Sequence, residues 1–270
     1  MLNNLSILLA KEDDYIFTAE DFDTFKEEYQ KSIHPDIMNR RKVVGEKLLD
    51  ISNELLPLLR SRGYILDTHP KSGHTLSWDR PLPYNHGIVN WRGVRFGRTA
   101  SELEILNYGL GNNGYDNRKK IGFQKYTCFQ VNIEEYGVDV GLFHAVPYES
   151  IDRMNVRQYL QSSQEFKDKL VDALNKIRGY GFVWSISPLP GETEDHNFYF
   201  DFQDASEFPN YYLKYDQEGT YSSLLYRFPR WDRRILEENF IDSCLDIFDL
   251  LYPIYEVIKW VPNQSQGGKI

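Results

Sequence analysis

The sequence predicts an α+β fold, in which a mainly antiparallel central sheet is covered by long N- and C-terminal helices. Apolar residues recur at helical spacing near both ends of the 270-residue chain. Segments in which apolar and polar residues alternate fill its middle, as in strands with one face on a core. Strand and helix patterns do not alternate regularly, which disfavours a parallel sheet.

Two helices are predicted at the start of the chain. The first covers residues 18–32, with Thr18 as its N-cap. Pro35 begins a second and longer helix, because a proline at the first helical position lacks only an N–H that would be unpaired anyway. Its apolar residues recur in steps of three, four and seven. Pro57 is expected to kink or end this helix, and Gly63 marks its latest end.

Short strands separated by loops are predicted next. Residues 64–68 form a strand, and residues 69–90 form a loop rich in proline and glycine. Residues 88–98 form a second strand, with a break or turn at Gly93. Residues 109–120 contain three glycines and three asparagines and are expected to be a mobile surface loop.

The stretch from Gly122 to Ile186 is predicted as a β-hairpin, a crossing helix and a third strand. Residues 127–133 and 138–143 alternate with a period of two, and a turn separates them. Ser162 and Glu165 have the spacing of a capping box at the start of the crossing helix.

The last part of the chain predicts one more strand and a long terminal helix. Residues 198–202 alternate as a strand. Residues 205–219 are ambiguous, and residues 222–228 fit either a strand or the approach to a helix. Asp232 is expected to cap the final helix.

The sequence has no internal repeat and no clear domain linker, so we expect one α+β domain over residues 1–270, ordered from about 15 to 260, with a flexible tail at 261–270. The net charge of −9 repels phosphate backbones unless a local basic patch exists. Cys128 and Cys244 are expected to be buried thiols in a reducing compartment. The chain shows no leader and no membrane-spanning run, so we expect a cytoplasmic protein with no membrane partner and no cofactor.

Five segments spread over most of the chain are similar to a known family. They are FTAEDFDTF (17–25), IVNWRGVRFG (88–97), FQKYTCFQVNI (123–133), VGLFHAV (140–146) and FVWSI (182–186). On these segments the chain resembles the YktB-like family of uncharacterised bacterial proteins. It is longer than that family's pattern around residues 109–120 and 198–222. The resemblance implies an α+β domain and carries over no activity and no catalytic residue.

A basic and aromatic surface is the best candidate for a binding site. One group of residues starts on the strand at 88–98, and a second lies just before and within the start of the last helix. Arginine matches phosphate oxygens in pairs, and bases stack on aromatic rings. We therefore predict a protein that binds nucleic acid or a phosphate-bearing ligand. The sequence favours a binding protein over an enzyme. The predicted binding residues are Trp91, Arg92, Arg95, Arg98, Arg118, Lys120, Arg227, Arg230, Trp231 and Arg234.

Several alternatives remain open. In the first alternative, the arginines pair with carboxylates on a solvated surface and bind no ligand. A metal-dependent hydrolase or nuclease would need converging histidines or carboxylates. His144 is expected to be a hydrogen-bonded sheet residue. A structural subunit of a larger complex, with a protein partner, is the third alternative. The residues considered for the metal-dependent alternative are His69, His74, Asp79, His86, Glu102, Glu104, Glu134, Glu135, Asp139 and His144.

Overall fold

The computed structural model describes residues 14–68, 77–82, 86–109, 126–146 and 148–261, and it confirms the α+β class. Seven strands in this part of the chain form one antiparallel sheet in the order β1-β2-β3-β4-β7-β5-β6. The strands are β1 (Asp67–Thr68), β2 (Trp91–Gly97), β3 (Thr127–Glu134), β4 (Gly137–His144), β5 (Val183–Ile186), β6 (His196–Tyr199) and β7 (Ser222–Pro229). The α-helices are α1 (Ala19–Asp23), α2 (Pro35–Ser61), α3 (Ala100–Gly109), α4 (Ile151–Ser162), α5 (Gln164–Asn175), α6 (Phe208–Tyr215) and α7 (Glu237–Ile258).

One face of the sheet, called here the helix face, packs against the helices. The ring of Phe248 in α7 lies 5.6 Å from that of Phe96 and 4.8 Å from that of Phe129. Phe208 of α6 lies 4.7 Å from Trp184. The cross-strand register places these three strand residues on the same face. Each fully buried aromatic ring contributes roughly 1.5–3 kcal/mol, so this apolar contact accounts for much of the drive to fold.

The opposite face of β2, β3, β4 and β7, called here the polar face, carries mainly polar and small side chains. Gly93 allows a close approach there, because a Cβ on it would lie 1.9 Å from Asn132 Oδ1. The predicted break at Gly93 is therefore wrong, and β2 runs straight through it. Two cross-strand rows of the polar face are Gly93–Asn132–Asp139–Arg227 and Trp91–Glu134–Gly137–Pro229.

The first helix is shorter than predicted, although Thr18 caps it as expected. Beyond α1, backbone carbonyls turn toward the guanidinium of Arg41, which is fully buried. Arg41 donates to the carbonyls of Thr24 (3.1 Å), Tyr29 (2.6 Å) and Ser32 (3.3 Å). These carbonyls bond to a side chain, and the segment forms turns in place of the predicted helix.

The long helix α2 begins at Pro35 as predicted and passes through Pro57 to Ser61. Gly63 follows with a φ of +86°, a left-handed conformation that glycine adopts without strain. Strand β1 has two residues where five were predicted.

The sequence pattern does not predict helix α4, because its buried face carries the charged residues Asp152 and Arg153, which break the apolar period. The cap predicted for the next helix lies one residue too early. Ser163, and not Ser162, accepts from the backbone N–H of Phe166 at the start of α5.

The C-terminal elements resolve the ambiguous segments. Residues 205–219 contain a short 3₁₀ turn and α6, and residues 222–229 are a strand between β4 and β5. Asp232 caps a 3₁₀ turn at Arg233–Ile235, so the final helix begins later than expected. The strand predicted at residues 198–202 ends at Tyr199.

One hydrophobic cluster of described residues includes side chains from Phe17 to Ile258. The single-domain organisation stays a prediction. The predicted loop at 109–120 and tail at 261–270 lie outside the described residues, apart from their first residues. Among the helices of the described ranges, none combines the length and apolar character needed to cross a bilayer.

Replacing Arg41 tests the interpretation of the N-terminal turns. We expect Arg41→Ala to lower the free energy of unfolding by about 3 kcal/mol, because several buried carbonyls lose their donor. Urea denaturation measures this. Arg40→Ala is the matched control, since Arg40 is an exposed neighbour paired with Glu20, and it should cost about 0.5 kcal/mol or less. Equal losses in the two variants would contradict the interpretation.

Candidate ligand-binding site on the polar face

Arg92 and Arg95 lie on opposite faces of β2, so the expectation that they share one exposed basic surface is wrong. Arg92 aligns with Ile133 on the helix face and donates to the Arg41 carbonyl. Its guanidinium fits because residue 45 of α2 is glycine, whose Cβ would lie 2.8 Å away. Burial lowers the pKa of Arg92 to about 10. Arg95 aligns with Gln130 on the polar face and is also buried.

Arg98 is buried in an ion pair with Asp152. Its two terminal nitrogens donate to the carboxylate at 2.9 and 2.6 Å, and one also donates to the Trp260 carbonyl at 2.9 Å. Asp152 further accepts from the backbone N–H groups of Thr127 and Trp260. Burial lowers the pKa of Arg98, but the adjacent carboxylate raises it by more. Arg98 therefore joins β2, α4 and the end of α7, which is a structural role.

The second predicted cluster lies around the end of β7. Arg230 donates to Asp23 at 2.7 Å. Arg234 donates to Asp232 at 2.8 Å and covers the rings of two aromatic residues of β7. Trp231 is half-exposed, and its ring contacts that of Tyr15 at 5.5 Å. Arg230 and Arg234 are therefore both paired with carboxylates. Arg118 and Lys120 lie outside the described residues.

Arg227 has a different arrangement, because two carboxylates hold one end of its guanidinium. Its Nε and Nη2 donate to the two oxygens of Asp139 at 2.7 and 2.8 Å, and Nη2 also contacts Glu134. Within the described part of the chain, Nη1 makes no hydrogen bond. The side chain is 47% exposed. The contacts therefore fix the orientation of Arg227, and the N–H donors of Nη1 are left without a partner among the described residues.

The charge around Arg227 falls unequally on its two partners. Both carboxylate oxygens of Asp139 accept hydrogen bonds from the guanidinium, whereas Glu134 contacts one nitrogen. Burial and the nearby charge of Asp139 raise the pKa of Glu134 to about 7, and Arg227 opposes the rise only in part. Burial and the neighbouring Asp139 therefore favour the neutral form of Glu134 more than water does for a solvated glutamate.

Two further polar-face residues border this group. Trp91 is the cross-strand neighbour of Glu134, and the residue is partly exposed. Asn132 neighbours Asp139, and its buried Oδ1 accepts no hydrogen bond from the described residues. We call the group formed by Trp91, Asn132, Glu134, Asp139 and Arg227 the clamp site.

The histidines and acidic residues that the structure describes do not form a second centre. His144 is buried, as expected of a hydrogen-bonded sheet residue, and its nitrogens lie 2.7 Å from Thr127 Oγ1 and 2.9 Å from the Tyr212 hydroxyl. Burial lowers its pKa to about 4. In the residues that the structure describes, no three His, Cys, Asp or Glu side chains group as metal ligands. His69 and His74 lie outside those residues.

An open groove of about 370 Å³ lies between α4, α5 and the end of α7. Its apolar wall includes Tyr159, Phe166 and Trp260. Lys169 pairs with a glutamate of α5 at 2.7 Å, and Lys259 pairs with a glutamate of α7 at 2.8 Å. Charges in the groove are therefore balanced, and the clamp site offers the more specific recognition chemistry.

Of the residues predicted for binding, the clamp site keeps Trp91 and Arg227. It adds Glu134 and Asp139, which the sequence suggests only for the metal-dependent alternative, and Asn132, which is not among the predicted site residues. Cross-strand register is the signal that joins them, because positions 132, 134 and 139 share a face once the hairpin turn is fixed. No sequence signal paired the hairpin with β7.

The comparisons with known proteins do not add a function. No protein-family model matches the chain, and no curated protein matches it. The resemblance to the YktB-like family therefore stays a prediction.

Glu134 predicts a pH dependence of stability. Its pKa is raised in the folded protein from 4.5 to about 7, so between these values the folded state binds more protons than the unfolded state. This contribution to stability is fully present below about pH 4.5 and is lost as the pH rises to about 7. We expect the unfolding free energy of the native protein to fall relative to that of Glu134→Gln across this range. Parallel curves from urea titrations would contradict the shift.

Proposed function

We propose that this chain is a binding protein that holds a phosphate-bearing small molecule at the clamp site. The observation that carries the proposal is the orientation of Arg227. Two carboxylates hold its Nε and Nη2, its Nη1 has no partner among the described residues, and the side chain is 47% exposed. A guanidinium fixed in this way loses little conformational entropy when phosphate oxygens accept from it.

The position of Trp91 favours a ligand that carries an aromatic group next to its phosphate. Trp91 and Glu134 are cross-strand neighbours, so their backbones are about 5 Å apart. Arg227 contacts Glu134, so the guanidinium lies beside the residue that neighbours Trp91 across the strands. A nucleotide is long enough to place its base on Trp91 and its phosphate on Arg227, because bases stack on aromatic rings at a gain of about 1–3 kcal/mol.

A small phosphate-bearing molecule fits the chain better than nucleic acid does. The net charge is −9, and the arginines of the second cluster pair with carboxylates. A polyanion needs many unpaired cations along its track, whereas a single phosphate needs one well-oriented arginine. Both carboxylates of the clamp site contact Arg227, which supports binding over metal-dependent hydrolysis. The proposal includes a cytoplasmic location, which the free buried thiols Cys128 and Cys244 support.

The proposal predicts that binding depends on phosphate and on Arg227. At a pH below neutral, the protein should bind cyclic adenosine monophosphate more tightly than adenosine. Isothermal titration calorimetry measures both affinities. Arg227→Gln should weaken binding by roughly 10- to 100-fold, because one charge-assisted contact is lost. Arg60→Gln is the matched control, since Arg60 is equally exposed and pairs with Asp67, and its affinity should equal that of the native protein.

Three outcomes would overturn the proposal. One is an absence of saturable binding at millimolar nucleotide. Another is equal affinity for adenosine and the cyclic nucleotide. The third is salt-sensitive binding of single-stranded oligonucleotides, with no binding of the mononucleotide, which would favour the nucleic-acid alternative.

A further inference from the structure

Two carboxylates share one guanidinium at the clamp site, so its charges do not balance. With Glu134 and Asp139 both ionised, the group carries two negative charges against the single positive charge of Arg227. Asp139 is buried and forms the paired contact with Arg227, so its charge is the better compensated of the two. The excess negative charge therefore lies on Glu134, next to the open end of the guanidinium.

An anion at Nη1 would meet this excess charge. In a partly buried site, a like charge within a few ångströms costs more than it does in water. Protonation of Glu134 removes that charge, leaves Arg227 paired with Asp139, and converts one carboxyl oxygen into an O–H donor. The same side chain then changes from repelling an anion to donating a hydrogen bond toward it.

We propose that binding of a phosphate group at the clamp site is coupled to the uptake of one proton by Glu134. This inference rests on the proposed function and adds a regulatory feature to the same site. One proton is taken from solvent, the Glu134 carboxylate becomes a neutral carboxyl group, and the phosphate stays ionised against Arg227. Affinity for the ligand therefore rises as the pH falls through neutrality.

The charged groups that face Glu134 support this assignment. Asp139 from β4 and the adjacent Glu135 disfavour its ionised form, and Arg227 from β7 favours it. Its neighbour on β2 is the uncharged Trp91. Arg230 is bound to the Glu135 carbonyl and to Asp23. Burial and the two acidic groups raise the pKa of Glu134 to about 7, where a change in cellular pH alters its protonation most.

The test is the affinity for cyclic adenosine monophosphate between about pH 5.5 and pH 8.5. Its phosphodiester keeps one negative charge over this range, so any pH dependence of the affinity arises from groups of the protein. In the native protein, affinity should be flat at low pH and should fall about tenfold for each pH unit above about 7. Glu134→Gln mimics the neutral carboxyl group and should bind at every pH as tightly as the native protein does at low pH.

Glu135→Gln is the matched control, because it removes a neighbouring charge that makes no contact with Arg227. It should keep the steep dependence above neutral pH. A second measurement uses the native protein alone: the pKa of the Glu134 carboxyl, followed by NMR, should rise when the ligand saturates the site.

The failures of the two proposals are distinguishable. Binding that does not depend on pH, or a pH dependence that persists in Glu134→Gln, overturns the coupling and leaves the proposed function standing. A fall in the pKa of Glu134 on saturation also overturns the coupling. No binding at any pH overturns both.

Discussion

The packing of α7 on the centre of the sheet is the interaction on which the rest of the structure depends. Phe248 and Tyr255 lie on Phe129, with ring centroids 4.8 and 5.0 Å away. Because side chains alternate along a strand, this contact fixes which residues of β3 are apolar and which point to the other side. A shift of one residue would bury Asn132 and Glu134 against the helix. The polar face therefore follows from the register that places Phe129 under α7.

The same constraint explains why so many arginines are structural. A sheet of seven strands packed against helices must satisfy the backbone carbonyls and carboxylates where its elements meet. Arg41 satisfies the carbonyls after α1, and Arg98 joins Asp152 to the Trp260 carbonyl just after α7. Arg153 and Arg157 share Asp216 in a similar way. Buried pairs of this kind cost several kcal/mol to break, because a lone charge would remain inside.

The fold was largely predictable from the sequence, and the site was predictable only in part. Local patterns give α2, the β3–β4 hairpin and β5, because each buries one regularly spaced apolar face. They fail at α4, where Asp152 and Arg153 point inward to distant partners. The arginine-rich strand shows the same limit. Arg92 and Arg95 are three residues apart, and an odd separation on a strand places them on opposite faces. The pairing of β4 with β7 is long-range, so no local pattern joins Arg227 to Asp139.

The proposed binding site lies on the polar face, beside Trp91 and Arg227. The five tryptophans give a direct test, since each indole N–H has its own NMR signal. Trp91 lies at the clamp site, Trp184 in the core, Trp231 near the end of β7 and Trp260 in the groove. On titration with cyclic adenosine monophosphate below neutral pH, the Trp91 signal should shift with saturation and the Trp184 and Trp260 signals should not. A shift confined to Trp260 or Trp231, with Trp91 unchanged, would contradict the account.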